Sequence, residues 1–310
     1  MNTENRIDIE KSVKDQLRHY VWRLFGESMA LNRQFVNKNY GPYCHLVTNE
    51  EVLAYASAIG VKEYTGFVPH LLSAIFELPL IYEILKDPDL HGSQEQVKNN
   101  MLMLVHGDQS IKFFKPISAG DKMIFNATIS EIEARGSGEV IKISVLSGDT
   151  DGNKVVESDW GLFIRGIGIG KVTQKSTNRE KVVKESGHVL FHKTFKIPTD
   201  ITKRYSEAAN DMNPIHLDDD MAKSAGLPGI VVHGMCTMAM TVQSIVESFL
   251  NGDAFVMESI GVRFSAPVFP ADELQVEGWD LNAGNEIGFH VHRKSDGVKV
   301  IKGGYITLAP

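Results

Sequence analysis

Four residues within six positions carry the chemistry this chain advertises: Asp211, Asn213, Pro214 and His216, in the stretch "ANDMNPIH". Eighteen residues past the histidine, Gly234 stands between His233 and Met235 at the head of an apolar run, "MCTMAMTVQSIVESFL". Pro fixes its own φ, and Asp and Asn bond back to nearby backbone, so the stretch reads as a turn. A turn alone needs no histidine. A carboxylate and an imidazole five residues apart, folded together by Pro214, can hold one water between them and exchange protons with it. The Asn213 amide can pin that water or orient the loop. Gly234 precedes a helix, where a backbone N–H at the positive end of the dipole can meet a developing oxyanion. Lacking a Cβ, it also lets a ligand come close. His233, Met235 and, on a later strand, Arg263 are the candidate substrate contacts.

Other chemical readings of the chain are weaker. Asp218, Asp219 and Asp220 lack the Gly and Glu of a calcium loop and read as the solvated start of a helix. His290 and His292 share one strand face but have no third ligand, so no metal is expected. "GSGEV" and "GIGIG" lack the strand–turn–helix setting of a phosphate loop. Across 310 residues, 43% hydrophobic and 23% charged content is that of a soluble globular protein, long enough for two domains. A net charge of -7 argues against nucleic acid and anionic membranes as partners. Two cysteines, Cys44 and Cys236, make no disulfide framework and suit a reducing compartment. The start "MNTENRIDIEK" is not a signal peptide, no apolar run reaches membrane-spanning length, and "GYITLAP" is not a peroxisomal tripeptide. A cytoplasmic protein is expected.

The elements that must hold these residues come in duplicate. "EVLAYASAIG" at 51–60 aligns with "ITKRYSEAAN" at 201–210, an offset of 150. "IKFFKPISAGD" at 111–121 aligns with "VRFSAPVFPAD" at 262–272, an offset of 151. Two pairs at nearly one offset indicate a repeated unit of about 150 residues. Each half reads as a short amphipathic helix (50–59; 201–209), a longer, mostly apolar helix (70–86; 235–250), then strand-like runs divided by turn signals. A helix apolar nearly all round must be buried, and antiparallel strands can curl over it. The expected fold is α+β: two antiparallel sheets, each wrapped on a long central helix. Residues 1–45 form an added helical arm, 46–172 a first unit, the polar 173–186 a linker and 187–310 a second unit. Between its helices the first unit has only "VKEYTGFVP" where the second has "DMNPIHLDDDMAKSAGLPGIVVHG". Catalysis is expected in the second unit alone.

The segment "YSEAANDMNPIHLDDDMAKSAGLPGIVVHGMCT" resembles the hydratase 2 motif of the MaoC-like, (R)-specific enoyl-CoA hydratases. That motif is an aromatic residue, Asp-x-Asn-Pro-(Leu/Ile)-His and a downstream His-Gly, matched at Tyr205, Asp211, Asn213, Pro214, Ile215, His216, His233 and Gly234. "LVHGDQSIKFFKPISAGDKM" and the overall length are similar to the two-domain hydratase 2 unit of peroxisomal multifunctional enzymes, from roughly Thr48 to the C-terminus. Asn210 and Ala271 depart from the pattern, which commonly has Gly at both.

The resemblance implies a double hot-dog fold and reversible hydration of trans-2-enoyl-CoA to (3R)-3-hydroxyacyl-CoA. It implies Asp211 and His216 as the dyad and Gly234 as the oxyanion donor. The partner is then an acyl-CoA thioester, with no cofactor, and the chain is a pseudo-dimer that can itself form a homodimer. Arg263, Lys112 and Lys115 are the cations considered for CoA phosphates. Two other functions are weighed. A hot-dog thioesterase would direct its carboxylate at the thioester, but usually lacks the His at this spacing. An inert acyl-CoA-binding subunit would not need both acid/base residues. The acyl tail is expected along the face of "VPHLLSAIFELPL" in the first half, with Leu72 as its probe position.

Overall fold

The computed structural model describes residues 30–61, 70–168, 189–281 and 284–309. Most of the expected helical arm (1–29), the segment 62–69 between the first half's helices, and the linker 173–186 lie outside the described residues. In chain order the first half comprises β1 (Asn39–Leu46), α1 (Asn49–Ile59), α2 (Ser73–Leu85), α3 (Pro88–His91), α4 (Gln94–Met103), β2 (Leu104–Phe113), β3 (Lys122–Arg135), β4 (Gly138–Gly148) and β5 (Lys154–Arg165). The second comprises β6 (Val189–Lys196), α5 (Ile201–Ala209), α6 (Asp219–Ser224), α7 (Gly234–Ser248), β7 (Met257–Phe264), β8 (Glu273–Asp280), β9 (Glu286–Arg293) and β10 (Lys299–Leu308).

Local chemistry explains the helix ends. Thr48 and Glu51 close a capping box on α1. Asp87 caps α3 and Ser93 caps α4, two short helices that the sequence pattern does not announce. The central helix α2 has no side-chain cap and carries Pro79 inside it. It forms because ten of its residues, from Ser73 to Leu85, are buried, and burying a large apolar side chain is worth about 1.5–3 kcal/mol. Several such side chains outweigh the roughly 3 kcal/mol that an internal proline costs.

The strands make one antiparallel sheet of order β1-β3-β4-β5-β2-β7-β10-β9-β8-β6. The two expected sheets are therefore one, joined edge to edge where β2 meets β7. The join obeys the repeat. Ser110 pairs with Gly261, its own equivalent at the offset of 151, and Ile111–Ile260 is balanced by Gln109–Val262. Such reciprocity is that of a two-fold contact between like subunits. Near the same axis the equivalent tyrosines Tyr55 and Tyr205 meet, ring centroids 5.9 Å apart.

The palindromic order corrects the expected arm. Residues 39–46 are strand, pairing with β3 from Asn39–Thr128 to Leu46–Lys122, and they occupy the edge that β6 occupies in the second half. Only a single 3₁₀ turn, Arg33–Phe35, is helical among the described residues before β1. A sheet wrapped on a helix needs that outer strand in both copies, whatever its sequence.

The departure at Ala271 has a measurable consequence. In the first half the matching turn holds Gly120 at φ 97, with Asp121 accepting a bond from Ser118 N at 2.8 Å. In the second half Asp272 accepts from Phe269 N at 2.8 Å in the same way, but the preceding residue is Ala271 at φ 71. A left-handed conformation costs an L-residue about 1–2 kcal/mol, and the greater freedom of Gly when unfolded returns roughly 0.5–1 of it. Ala271→Gly should therefore stabilise the protein by about 0.5–1 kcal/mol, read as a higher urea midpoint with an unchanged slope; a lower midpoint would contradict the argument.

Candidate active site

Helix α5 ends at Asn210, which takes the left-handed conformation (φ 53) that usually selects Gly and that Asn tolerates best among the others. The chain turns there and carries Asp211 into a cavity of about 370 Å³ between the two halves. Asp211 Oδ1 accepts bonds from the Tyr82 hydroxyl at 2.5 Å and from Asn213 N at 3.3 Å. Asn213 in turn caps the 3₁₀ turn Pro214–His216, its Oδ1 accepting from Ile215 N at 3.3 Å. Of the two roles open to Asn213, orienting the loop is the one its side-chain oxygen performs.

His216 is fixed by a 2.7 Å bond between its Nδ1 and the Val231 carbonyl. A carbonyl only accepts, so Nδ1 carries the proton and Nε2 keeps a lone pair in the neutral ring. The His233 ring stacks on it, centroids 3.7 Å apart and planes 27° from parallel. His233 Nε2 lies 3.3 Å from the Asp211 carbonyl and 3.2 Å from Ser206 Oγ. His233 sits at the N-cap of α7 without making a side-chain cap bond, so the first N–H groups of that helix, Gly234 among them, keep their capacity to donate. A Cβ on Gly234 would stand 3.3 Å from the Phe264 ring, tighter than ordinary contact, and 3.5 Å from His106 Cβ, within it. Any side chain there would crowd the Phe264 ring.

Burial sets the charges. It holds His216 below its usual value and pushes His233 down to about 3 and His106 to about 4, so all three rings are neutral at pH 7. Burial also acts to raise Asp211, but attraction to His233 and His216 and the bonds from Tyr82 and Asn213 leave it net lowered. Imidazole attraction operates only on a protonated ring, so at neutral pH the two hydrogen bonds keep the carboxylate ionised. The Tyr82 hydroxyl, raised by burial and by Asp211, stays a donor. The resting pair is a carboxylate and a neutral imidazole.

Asp211, His216 and His233 present donor atoms within 4.8 Å of one another, a grouping that raises the question of a metal. The geometry does not favour one. Imidazoles ligating one zinc approach from converging planes about 2.0–2.1 Å from the ion, whereas these rings are stacked. One nitrogen of each is already committed to a backbone carbonyl.

Asp211, Asn213, His216, His233, Gly234 and Met235 all line the same cavity. Arg263 does not: it is exposed on β7, while its neighbour Phe264 is in the wall. Successive strand residues face opposite ways, which removes Arg263 from the role expected of it. Lys115 is likewise exposed, paired with Asp149 at 2.9 Å. Leu72 is fully buried away from the cavity, and the facing residues of α2 are Ala74, Ile75, Leu78, Ile81, Tyr82 and Leu85. The first half is therefore not silent. It contributes Tyr82, His106, Trp160 and Arg165, none of which the motif suggested. Tyr82 had one signal, a phenol hydroxyl on a mostly apolar helix.

Comparison with known proteins bears on the family and the fold. Residues 180–303 match the family described as MaoC like domain, and residues 45–166 match the MFE-2 hydratase 2 N-terminal domain. The chain is 23% identical to "Probable enoyl-CoA hydratase 2" of Dictyostelium discoideum, over 90% of this chain and 96% of the relative. It is 29% identical to mouse "Peroxisomal multifunctional enzyme type 2" over 68% of this chain and only 28% of that longer protein. The crystal structure of a MaoC-like dehydratase from Phytophthora capsici superposes with a TM-score of 0.72 at 22% identity, over 90% of this chain and 99% of that one. It shares the fold. A solved mycobacterial neighbour described as a double hotdog fold has a TM-score of 0.55 at 11% identity, over 88% of this chain and 95% of that one.

The Tyr82 bond can be tested directly. A hydrogen bond to a charged group is worth about 1.5–3 kcal/mol, and 1.36 kcal/mol is one pH unit. Tyr82→Phe should move the Asp211 carboxyl titration upward by about 1–2 pH units in a carboxyl NMR titration of the folded protein. An unmoved titration would show that the hydroxyl does not hold the charge.

Proposed function

This chain belongs to the MaoC-like family in its two-domain hydratase 2 form, and from that premise we propose that it adds water reversibly to trans-2-enoyl-CoA to give (3R)-3-hydroxyacyl-CoA. It is an enzyme of the hydratase/dehydratase class. The observation that carries the reading is a carboxylate and a neutral imidazole beside the uncapped first turn of α7, in one largely apolar cavity.

The thioester carbonyl accepts a bond from Gly234 N–H, which draws electrons from the double bond and leaves Cβ open to attack. Water rests between Asp211 and His216, both in their basic forms. One takes a proton, the hydroxyl adds to Cβ, and a proton is returned to Cα as the enolate collapses. Nothing is oxidised or reduced, so no cofactor is called for. A backbone donor on an oxyanion is worth about 3 kcal/mol where it has been removed in other enzymes. Near-parallel stacking of His233 on His216 holds the latter's ring plane, a positioning role that replaces the substrate contact expected of His233.

The remaining assignments follow the same reading. We divide the chain into a non-catalytic unit beginning at β1, a linker at 173–186 and the catalytic unit 187–310, which together make a pseudo-dimer. No helix among the described residues is long and apolar enough to cross a membrane. The cytoplasmic placement expected from the sequence is kept as a proposal, against an Arabidopsis relative and a mouse relative whose names place them in peroxisomes; imaging of the tagged full chain separates the two.

Two measurements test the function. With enoyl-CoA the ultraviolet absorbance of the conjugated thioester should fall without release of free thiol, and chiral analysis should give the 3R product; thiol release would indicate a thioesterase instead. Asp211→Asn and His216→Ala should each lower kcat by about 10²–10⁴-fold in a folded protein, and the double variant should be little worse than either, because both act on one water. Full activity in either single variant would end the dyad assignment.

Chain length tests the role of α2. Each methylene buried against Ile75, Leu78 and Ile81 should add about 0.8 kcal/mol before costs. Medium-chain enoyl-CoAs should therefore exceed crotonyl-CoA in kcat/KM, and Leu78→Trp should narrow that gap. A steady decline beyond four carbons would remove the first half from acyl binding.

A further inference from the structure

Arg165, the last residue of β5, lies in the cavity wall and is half-buried. Its Nη2 donates to the Ala225 carbonyl at 2.7 Å and its Nε to the Met103 carbonyl at 3.3 Å. Among the described residues no carboxylate makes an ion pair with it. Glu139, whose strand neighbour is Ile164 on the adjoining rung, is fully buried and committed to Arg33 at 2.5 Å and to Leu31 N at 2.7 Å. Burial alone lowers Arg165 from its ordinary value, with no acid acting in opposition. The two carbonyls engage only Nε and Nη2, so the half-buried guanidinium keeps further N–H donors with which to meet an anion in the cavity.

Its place in the cavity suggests what that anion is. His106 marks the position of Gly234, since its Cβ would lie 3.5 Å from a Cβ built there. In the sheet His106 pairs with Leu162, and Arg165 follows three residues later on the same strand, roughly 10 Å away at the strand rise. The same cavity wall holds Leu85, Leu104 and Leu162 of the first half and Leu227 from the insertion of the second half. A polar phosphopantetheine arm gains nothing from such a wall. A hydrocarbon chain does, and one that starts at the Gly234 N–H and follows these leucines ends at a guanidinium.

We propose that Arg165 seats an anionic oxyacid group at the far end of the cavity, supplied by the terminal carboxylate of an ω-carboxyacyl thioester, so that the enzyme favours dicarboxylic over methyl-ended acyl chains of matching length. The planar fork of an arginine takes a carboxylate through two parallel bonds, which fixes the chain end as well as binding it. The inference rests on the hydratase reading for the position of the thioester. The other source of the same chemistry is a phosphate of CoA. The bland alternative is that Arg165 merely ties the insertion to the first half through its two carbonyl bonds.

The experiment compares enoyl thioesters of one length, methyl-ended and ω-carboxylated, each as the CoA ester and as the N-acetylcysteamine ester that lacks phosphates. Wild type should prefer the carboxylated chain in kcat/KM with both carriers. Arg165→Gln should reduce that preference by about 10–100-fold, the range for a hydrogen-bonded charge, and Arg165→Lys should restore part of it. Loss confined to the CoA esters, whatever the chain end, would overturn the proposal in favour of a phosphate contact. Equal loss on all four substrates, with a lowered melting temperature, would overturn it in favour of a structural tie. Calorimetric binding of saturated acyl-CoA and ω-carboxyacyl-CoA to wild type reads the seat without turnover, so its failure is separate from failure of the hydratase reading. Weaker binding of the carboxylated ligand there would refute the seat outright.

Discussion

The pairing of β2 with β7 is the interaction on which the rest of the molecule depends. Each half, taken alone, is a five-stranded sheet whose β2 or β7 would be a second unpaired edge beside its outer strand, and such an edge invites another chain. Closing the two edges on each other satisfies the backbone of both. It also sets the two central helices on either side of one pseudo-two-fold axis, with Ser110 and Gly261 at its centre. The cavity exists because the halves meet there. Tyr82 reaches Asp211, 129 positions away in sequence, only across that junction.

Burial at the junction makes the dyad usable and also costs stability in acid. An imidazole kept neutral by burial cannot take the proton that the unfolded chain accepts at its ordinary value. His233 and His106, lowered to about 3 and about 4, therefore lose stability for the fold progressively as pH falls from the ordinary histidine value near 6.5 toward those figures. Asp211 behaves in the same direction but later: held below its usual value, it contributes stability that is complete above the ordinary Asp value and lost as pH falls through its own lower one. A site that keeps both bases unprotonated at neutral pH is thus built from groups that favour unfolding in acid.

Much of this could be read from the sequence, and the omissions have physical reasons. The repeat was visible where side chains are constrained, at the helix bearing Tyr55 and Tyr205 and at the strand-turn leading to Asp121 and Asp272. The edge strands β1 and β6 were not, because their mostly exposed residues carry no apolar alternation to recognise. The proposed dyad was readable because Asp211, Asn213, Pro214 and His216 lie in one short loop. Tyr82, His106 and Arg165 were not, since their roles depend on which face of an element meets the other half. The same uncertainty of phase put Leu72 and Arg263 on the cavity, when Leu78 and Phe264 are the residues that face it.

Duplication within one chain changes what each copy is free to become. In a dimer of identical short units, any substitution in the residue that walls the partner's pocket appears in both copies at once. Here the second half keeps the insertion that carries the dyad. That insertion has a small core of its own in Ile215, Ala225 and Val231, with Leu227 and Phe269 against it and Leu102 from α4 of the first half completing it. The first half places Leu102 of α4 where the insertion rests. It also turns the polar end of α2 and the last residue of β5 toward its neighbour's chemistry. The donor to Asp211 and the Arg165 cation in the cavity wall thus both come from the copy without the motif. Specificity can then change in the first half while the second conserves the reaction, an independence that a symmetric dimer cannot have.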